Sequence, residues 1–151
     1  MAVPYLACMA FVASLNHLPP RVLPAIQGVE GGAPGVVHRN TDGSEDLGVM
    51  QINTRWLPAL SGYFGLPSGI VRARLLAVPC FNIAAAGAVL RLYLNEAKGD
   101  LMLAIGDYHS HTVPLNRQYQ GQVVRSAMLL FGDAAPGGRA ASHGRVVRSQ
   151  E

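Results

Sequence analysis

The sequence predicts one mainly α-helical domain with little or no sheet. Half of its 151 residues are hydrophobic and only 14% are charged, a composition that can bury a core. Apolar residues recur at helical spacing through most of the chain, and no segment shows the alternation of a strong strand. We expect the domain to occupy residues 1–131. Residues 132–151 are rich in Gly, Ala and Arg without an apolar period, which predicts a disordered basic tail.

The first helix is predicted from Pro4 to His17, a stretch that is apolar on nearly every side. Its composition is close to that of a signal peptide, but no basic region precedes it and no small-residue cleavage site follows it. We therefore assign it to the mature domain. If the protein is exported, we expect its signal peptide to have been removed ahead of this helix.

The second helix carries an apolar stripe from Val22 to Val29 and follows a Pro-Pro pair, which the first turn of a helix tolerates. We expect it to end at Glu30, because Gly31 and Gly32 can adopt the left-handed conformation that closes a helix. A cluster of turn residues at 40–44 could hold one small hairpin. The remaining helices are predicted at Thr54–Leu60, Ser68–Leu76 with Ser68 as its cap, Cys80–Ala97 as the longest, Leu101–Tyr108 behind a capping Asp100, and Asn116–Leu130.

The charge pattern argues against a nucleic acid as partner. The net charge is +3, and the Lys and Arg residues are scattered rather than gathered on one helix face or interleaved with aromatic residues. A mildly basic surface would also suit an acidic polymer. No apolar stretch is long enough to span a bilayer, so we expect no membrane span.

Cys8 and Cys80 are the two cysteines of the chain. They could be two buried thiols, as is common in cytosolic proteins, or one disulfide between helices. The residues alone do not decide, because the redox state of the compartment does. A bridge over so long a loop would contribute roughly 4 kcal/mol in the chain-entropy model.

Glu30 stands out because of its position at a helix end. The carboxyl end of a helix carries a partial negative charge, which disfavours an ionised carboxylate there. Partial burial beside Ile26 and Val29 would act in the same direction, and both effects raise the pKa of the side chain. A general acid needs such a pKa at neutral pH, although a terminal glutamate can equally be exposed and without a role.

The segment "DGSEDLGVMQINTRW", residues 42–56, is half apolar and half amide-rich. Its apolar residues fit neither the period of a strand nor that of a helix, which indicates a shaped surface. Together with three other blocks, this segment resembles the lytic transglycosylase family with the lysozyme-like SLT domain. The other blocks are "AIQGVEGG", "LLAVPCFNIAAAGAVL" and "AIGDYHS", and all four lie in the family's order and spacing. The similarity is greatest to small single-domain members associated with secretion, conjugation and pilus machines.

The resemblance implies a mainly α, lysozyme-like α+β fold in which Glu30 is the catalytic acid/base. It also implies that Gly48, Met50 and Gln51 line a sugar groove and that Tyr108 faces the glutamate. These residue types suit the binding of a sugar, since glycine lets the backbone approach a sugar ring and methionine offers the ring a flexible apolar face. We expect Ile52, in contrast, to belong to the core. Two further groove residues are expected, Asn53 as a hydrogen-bonding amide and His109 as part of the wall.

Two positions depart from the family pattern. The family usually has Ser after the catalytic glutamate, whereas Gly31 stands here, so a substrate hydrogen bond is missing. The common "AYNAG" block is replaced by "GDYHS", residues 106–110.

His109 and His111 resemble a metal pair, but no third ligand lies at suitable spacing, and we expect neither a metal nor a cofactor.

The second carboxylate of an ordinary glycosidase is the open question. Asp46 lies nearest to the motif and could act as nucleophile or base, with Asp42 and Glu45 as other candidates. The resemblance favours a route in which the substrate's acetamido group attacks and a 1,6-anhydro product forms. Asp42 and Asp46 would then hold the loop through bonds to backbone amides.

We therefore expect a monomeric, periplasmic peptidoglycan lytic transglycosylase that cleaves the MurNAc–GlcNAc bond for an envelope-spanning secretion, conjugation or pilus machine. The envelope location also favours a Cys8–Cys80 disulfide. The alternatives are a hydrolytic lysozyme with Asp46 as second carboxylate, and a catalytically weak peptidoglycan-binding component of a secretion apparatus.

Overall fold

A computed structural model describes residues 2–132, which form a mainly α-helical domain with one small sheet, as predicted. The tail predicted at 132–151 lies, apart from its first residue, outside the described residues. A 3₁₀ turn at Thr54–Trp56 leads into the third helix. The helices are α1 Leu6–Leu15, α2 Val22–Glu30, α3 Leu57–Phe64, α4 Ser68–Ala77, α5 Pro79–Glu96, α6 Leu101–His109 and α7 Val113–Phe131.

The helix ends follow the capping signals in most places. Gly31 has a φ of 63° and closes α2 directly after Glu30, as predicted. Asp100 caps α6 by accepting a hydrogen bond from the backbone N–H of Leu103 at 3.1 Å. The prediction that Ser68 caps α4 is wrong, because Ser68 is the first helical residue and no side chain caps that helix. The longest helix is α7 rather than α5, since α7 starts three residues earlier than expected, at Val113.

The sheet has three short antiparallel strands in the order β1-β2-β3. They are β1 Val37–Arg39, β2 Glu45–Leu47 and β3 Ile52–Asn53. The hairpin expected around residues 40–44 joins β1 to β2 and is confirmed. The third strand was not predicted, because two residues are too few to show a strand period. Its pairing places Asp46 opposite Asn53, and this register matters for the site.

The hydrophobic core joins the helices to the inner face of the sheet. Leu47 and Ile52 on neighbouring strands are both buried in it, so the sheet is anchored on the helical part of the domain. Ile52 is 2% exposed, which confirms it as a core residue. Other fully buried side chains are Met9, Leu23, Ile26, Leu75, Ile83 and Leu90.

Asn82, on α5, ties the turn between β2 and β3 to the core. Its side chain is completely buried, and its Oδ1 accepts a hydrogen bond from the backbone N–H of Met50 at 2.8 Å. Its Nδ2 donates to the carbonyl oxygens of Leu47 and Leu75, each at 2.8 Å. Three backbone groups that would otherwise be buried without partners are therefore satisfied by one amide.

A disulfide joins Cys8 on α1 to Cys80 at the start of α5, with the two Cα atoms 5.6 Å apart. Of the two alternatives, the structure therefore confirms the disulfide rather than two free thiols. The bond connects the first helix to the central one across 72 residues of sequence.

No single helix within residues 2–132 is both long and apolar enough to cross a membrane. By length and composition alone, α4 and α5 together would suffice, but their axes differ by 112°.

Candidate active site

A cleft of about 740 Å³ opens where the end of α2 meets the sheet, α5 and α6. Glu30 lies in its wall. Polar side chains from the hairpin and aromatic or imidazole rings from the helices form the rest of the lining. The predicted site residues that line it are Glu30, Gln51, Asn53, Tyr108 and His109, together with Asp46.

Glu30 is a half-buried carboxylate with an altered acidity. The pKa of Glu30 is raised from its ordinary 4.5 to about 7, chiefly by burial and to a smaller extent by the negative charge of Asp46. A hydrogen bond from Tyr119 acts in the opposite direction and only partly offsets these effects. Near neutral pH the side chain can therefore both give and take a proton, as expected from its partial burial.

Tyr119, on α7, is the residue that holds Glu30. Its hydroxyl donates to Glu30 Oε1 at 2.6 Å, and its side chain is 2% exposed. The ring of His109 stacks on the Tyr119 ring with centroids 4.9 Å apart and planes 6° apart. The burial and the stack together fix the hydroxyl, so one oxygen of Glu30 is occupied and the other remains available to a ligand.

From the sequence, Tyr108 and not Tyr119 was expected to face Glu30. Tyr108 lines the same cleft as Glu30, and burial, followed by the charge of Glu30, raises the pKa of its hydroxyl. That hydroxyl does not bind Glu30 but donates to the backbone oxygen of Met50 at 2.9 Å and so supports the turn before β3. Tyr119 was not predicted because it lies 89 positions from Glu30 in the sequence. On the buried face of α7 it is indistinguishable, by pattern alone, from an ordinary core residue. A buried tyrosine hydroxyl needs a hydrogen-bond partner, and that need was the available signal.

Met50 and Gly48 do not form the groove surface. The side chain of Met50 is 0% exposed and packs in the core, so the expectation that it presents an apolar face to a sugar is wrong. Gly48 has a φ of 69°, and a Cβ atom there would overlap the carbonyl oxygen of Leu75 and the amide of Asn82. Glycine is required at this position by packing inside the protein rather than by the approach of a ligand.

Gln51 and Asn53 do line the cleft, although their amides also hold the protein together. Gln51 has a positive φ of 53°, and its Nε2 donates to the Gly48 carbonyl at 2.9 Å. Asn53 Nδ2 donates to Asp46 Oδ1 at 2.9 Å, and Asn53 Oδ1 accepts from the backbone N–H of Arg55, also at 2.9 Å. Their role in hydrogen-bonding a glycan stays a prediction.

Asp46 is held in the cleft by two side-chain amides. Besides Asn53 on one oxygen, Asn40 Nδ2 donates to Asp46 Oδ2 at 3.1 Å. We expected backbone amides as its partners, and that expectation is wrong for Asp46. It is correct for Asp42, whose Oδ1 accepts from the backbone N–H of Ser44 at 2.9 Å.

Glu45 lies outside the cleft. Its carboxylate pairs with Arg72 at 2.8 Å and with Arg39 at 3.6 Å. The hydrogen bond from Arg72 lowers the pKa of Glu45, so this side chain is a salt-bridge residue of the sheet edge. Of the three downstream acids, Asp46 is thus the one best placed for chemistry beside Glu30.

A second group of ionisable residues lies at the α6 end of the cleft. Asp107 is 8% exposed, and its Oδ1 accepts from Asn116 Nδ2 at 2.8 Å. His111 Nε2 lies 4.0 Å from Asp107 Oδ2 and 3.9 Å from Glu96 Oε2. Asp107 was not predicted from the sequence, although a carboxylate between the apolar Ile105 and the aromatic Tyr108 was a usable signal. Within residues 2–132, no three such side chains are grouped closely enough to hold a metal ion.

The chain is distantly related to known proteins. No family model matches the sequence. The chain is similar to invasion protein IagB of Salmonella typhimurium. The two are 33% identical over 106 residues, which is 68% of this chain and 62% of the relative. Invasion protein IagB of Salmonella typhi is 33% identical over 81 residues, covering 54% of this chain and 47% of the relative. The chain thus spans less than two thirds of the length of these relatives, and the similarity supports a broad family only.

Proposed function

We propose that the protein is a peptidoglycan lytic transglycosylase that cleaves the MurNAc–GlcNAc bond with Glu30 as its single acid and base. The observation that carries the proposal is the half-buried Glu30, whose pKa burial raises to about 7, in the wall of a cleft lined by polar and aromatic side chains. The four sequence blocks that resemble the family support it, as does the similarity to invasion protein IagB.

The first step would use the protonated form of Glu30. With Tyr119 on Oε1, the free oxygen can carry the proton and deliver it to the oxygen that leaves with the GlcNAc unit. As the glycosidic bond breaks, the carbonyl oxygen of the MurNAc acetamido group bonds to the anomeric carbon. The substrate supplies the nucleophile, so no second carboxylate is needed.

The second step would use the ionised form. Glu30 now accepts the proton of the MurNAc 6-hydroxyl, and that oxygen attacks the anomeric carbon while the acetamido oxygen departs. The product is a 1,6-anhydro sugar, no water is consumed, and Glu30 is protonated again. A pKa of about 7 suits both steps, because neither protonation state is strongly disfavoured near neutral pH.

A hydrolytic lysozyme is the second candidate, and Asp46 favours it. Asp46 lies in the same cleft, and its charge reaches Glu30 strongly enough to raise the pKa of Glu30. In this mechanism Asp46 acts as nucleophile or activates a water molecule, and the product has a reducing end. Against this role, both oxygens of Asp46 already accept bonds from Asn40 and Asn53.

Digestion of purified peptidoglycan, followed by mass spectrometry of the released muropeptides, tests the proposal. We expect anhydro ends from the natural protein and a rate lower by about 10²–10⁴-fold for Glu30→Gln, because the transferable proton is lost. Glu45→Gln is the matched control, since Glu45 lies outside the cleft and should keep its activity. Reducing ends would favour the hydrolase. Binding without any turnover would favour a weak peptidoglycan-binding component.

The proposed setting is the periplasm, where the enzyme would open the wall locally for a secretion, conjugation or pilus machine. A disulfide persists in such an oxidising compartment, and the structure contains one. Fractionation of cells that express the natural protein, with the redox state of Cys8 and Cys80 measured in each fraction, tests this placement.

A further inference from the structure

A second, smaller groove of about 290 Å³ lies beside the cleft, between the end of α1, α3 and the middle of α5. Trp56, Ala59 and Val89 line both cavities, so a single ridge separates them. Trp56 is held in that ridge by an edge-to-face contact with Tyr93, with ring centroids 5.6 Å apart. A ligand seated in the cleft can therefore extend a branch across the ridge into the groove.

The lining of this side groove is mostly apolar and accessible. Tyr63 is 64% exposed and Leu92 is 42% exposed, and both border it. Its volume lies at the lower end of the roughly 300–1,000 Å³ typical of ligand pockets. Small apolar groups such as methyl groups would fit such a space better than the hydroxyl groups of a further disaccharide, which would lose their hydrogen bonds to water.

One edge of the side groove carries a fixed positive charge. Arg91 donates through Nε and Nη2 to Asn95 Oδ1, at 2.9 Å and 2.5 Å, and through Nη1 to the backbone oxygen of Asn16 at 3.3 Å. Among residues 2–132, no carboxylate forms an ion pair with Arg91. A guanidinium has five N–H donors, of which these bonds use three. Two donors remain for an anionic group, and the two asparagines have already fixed the plane of the guanidinium.

We propose that the side groove binds the peptide stem of a muramic acid unit seated in the cleft, with Arg91 binding a carboxylate of that stem. The inference rests on the proposed function, because a peptidoglycan glycan must occupy the cleft. Its chemistry matches the groove, since the stem branches from the sugar, carries alanine methyl groups and bears free carboxylates. The enzyme would then prefer peptide-bearing glycan to bare glycan.

The test measures binding to a Glu30→Gln background, which cannot turn over the ligand. Two soluble probes are titrated by calorimetry, a GlcNAc–MurNAc oligosaccharide with stem peptides and the same oligosaccharide without them. We expect Arg91→Gln to weaken binding of the peptide-bearing probe about 10-fold, the loss of one charge-assisted hydrogen bond, and to leave the bare probe unchanged. Arg125→Gln, an exposed charge on α7 that lines neither cavity, is the matched control and should change neither affinity.

Leu92→Glu provides a second variant, because Leu92 is exposed and the change should not prevent folding. Its carboxylate would compete for Arg91 and repel the stem, so we expect the same selective loss. The side-groove assignment would be overturned if the variants weakened binding of both probes equally, or if neither variant changed the affinity for the peptide-bearing probe. Either result would leave the proposed function intact. If the natural protein neither binds nor cleaves the bare oligosaccharide or the peptide-bearing one, the proposed function fails and this inference fails with it.

Discussion

Replacing Glu30 by Gln should stabilise the protein at alkaline pH, and this prediction does not depend on any substrate. The change preserves the size of the side chain and an oxygen that can accept the hydrogen bond from Tyr119. What it removes is a titratable group that is half-buried and whose pKa burial raises from 4.5 to about 7. The folded state of the natural protein therefore binds this proton more tightly than the unfolded state does.

The sign and the size follow from that difference. Stability gained through the bound proton is fully present below about pH 4.5 and is lost as pH rises through about 7. At about 1.4 kcal/mol for each pH unit between the two values, the loss amounts to roughly 3 kcal/mol. Glutamine does not titrate, so Glu30→Gln should gain roughly that much relative to the natural protein between pH 4 and pH 8. For a domain of this size, the gain corresponds to several degrees in Tm.

Urea unfolding of both proteins at pH 4, 6 and 8 measures the effect. Glu45→Gln is the control with the opposite sign, because its hydrogen bond to Arg72 lowers the pKa of Glu45. That stabilisation is present at neutral pH and is lost on acidification, so Glu45→Gln should destabilise the protein at pH 8 more than at pH 4. A free-energy difference between Glu30→Gln and the natural protein that stayed constant with pH would refute the reasoning from burial.

Three further outcomes are expected. Tyr119→Phe removes the bond that lowers the pKa of Glu30, so the alkaline limb of the pH–rate profile on peptidoglycan should move upward, and an unchanged limb would exclude Tyr119 as a positioning residue. Asp46→Asn should keep substantial activity and move the same limb downward, because a nearby negative charge is lost; a stably folded but inactive variant would instead favour the hydrolase. The double change Cys8→Ser with Cys80→Ser should lower the free energy of unfolding by about 2–5 kcal/mol in thermal or urea melts, and an unchanged melt would mean that the bridge contributes nothing.

The ionisable Glu30 is also expected to lower the stability of the fold at neutral pH. A buried carboxylate with a raised pKa is unfavourable at the pH where it would work, and the surrounding contacts must compensate for it. The disulfide between α1 and α5 and the saturated amide of Asn82 are two such contacts in this domain. An active site that is less stable than its neutral variant is common where acid–base chemistry requires a perturbed group.

Local sequence signals were sufficient for most of the helices and for the position of Glu30. Helical spacing of apolar residues and the glycine that follows Glu30 act within a few residues, so they can be interpreted without knowledge of the fold. The hairpin at residues 40–44 and the cap at Asp100 belong to the same group. The prediction for Ser68 was wrong although local preference favours serine as a cap, because the helix begins one residue earlier and Pro67 takes the cap position.

Only the tertiary structure decided which side chains meet in the cleft. Tyr119 reaches Glu30 across 89 residues, and Met50 turns inward because Asn82 of α5 fixes the backbone of its turn. The amide partners of Asp46 depend on the pairing of three short strands. These contacts depend on how helices and strands pack, and packing sums many weak long-range contacts that no single stretch of sequence contains. The sequence by itself therefore determined the acid and its helix, whereas the packed fold selected the tyrosine that binds it and turned the methionine into core.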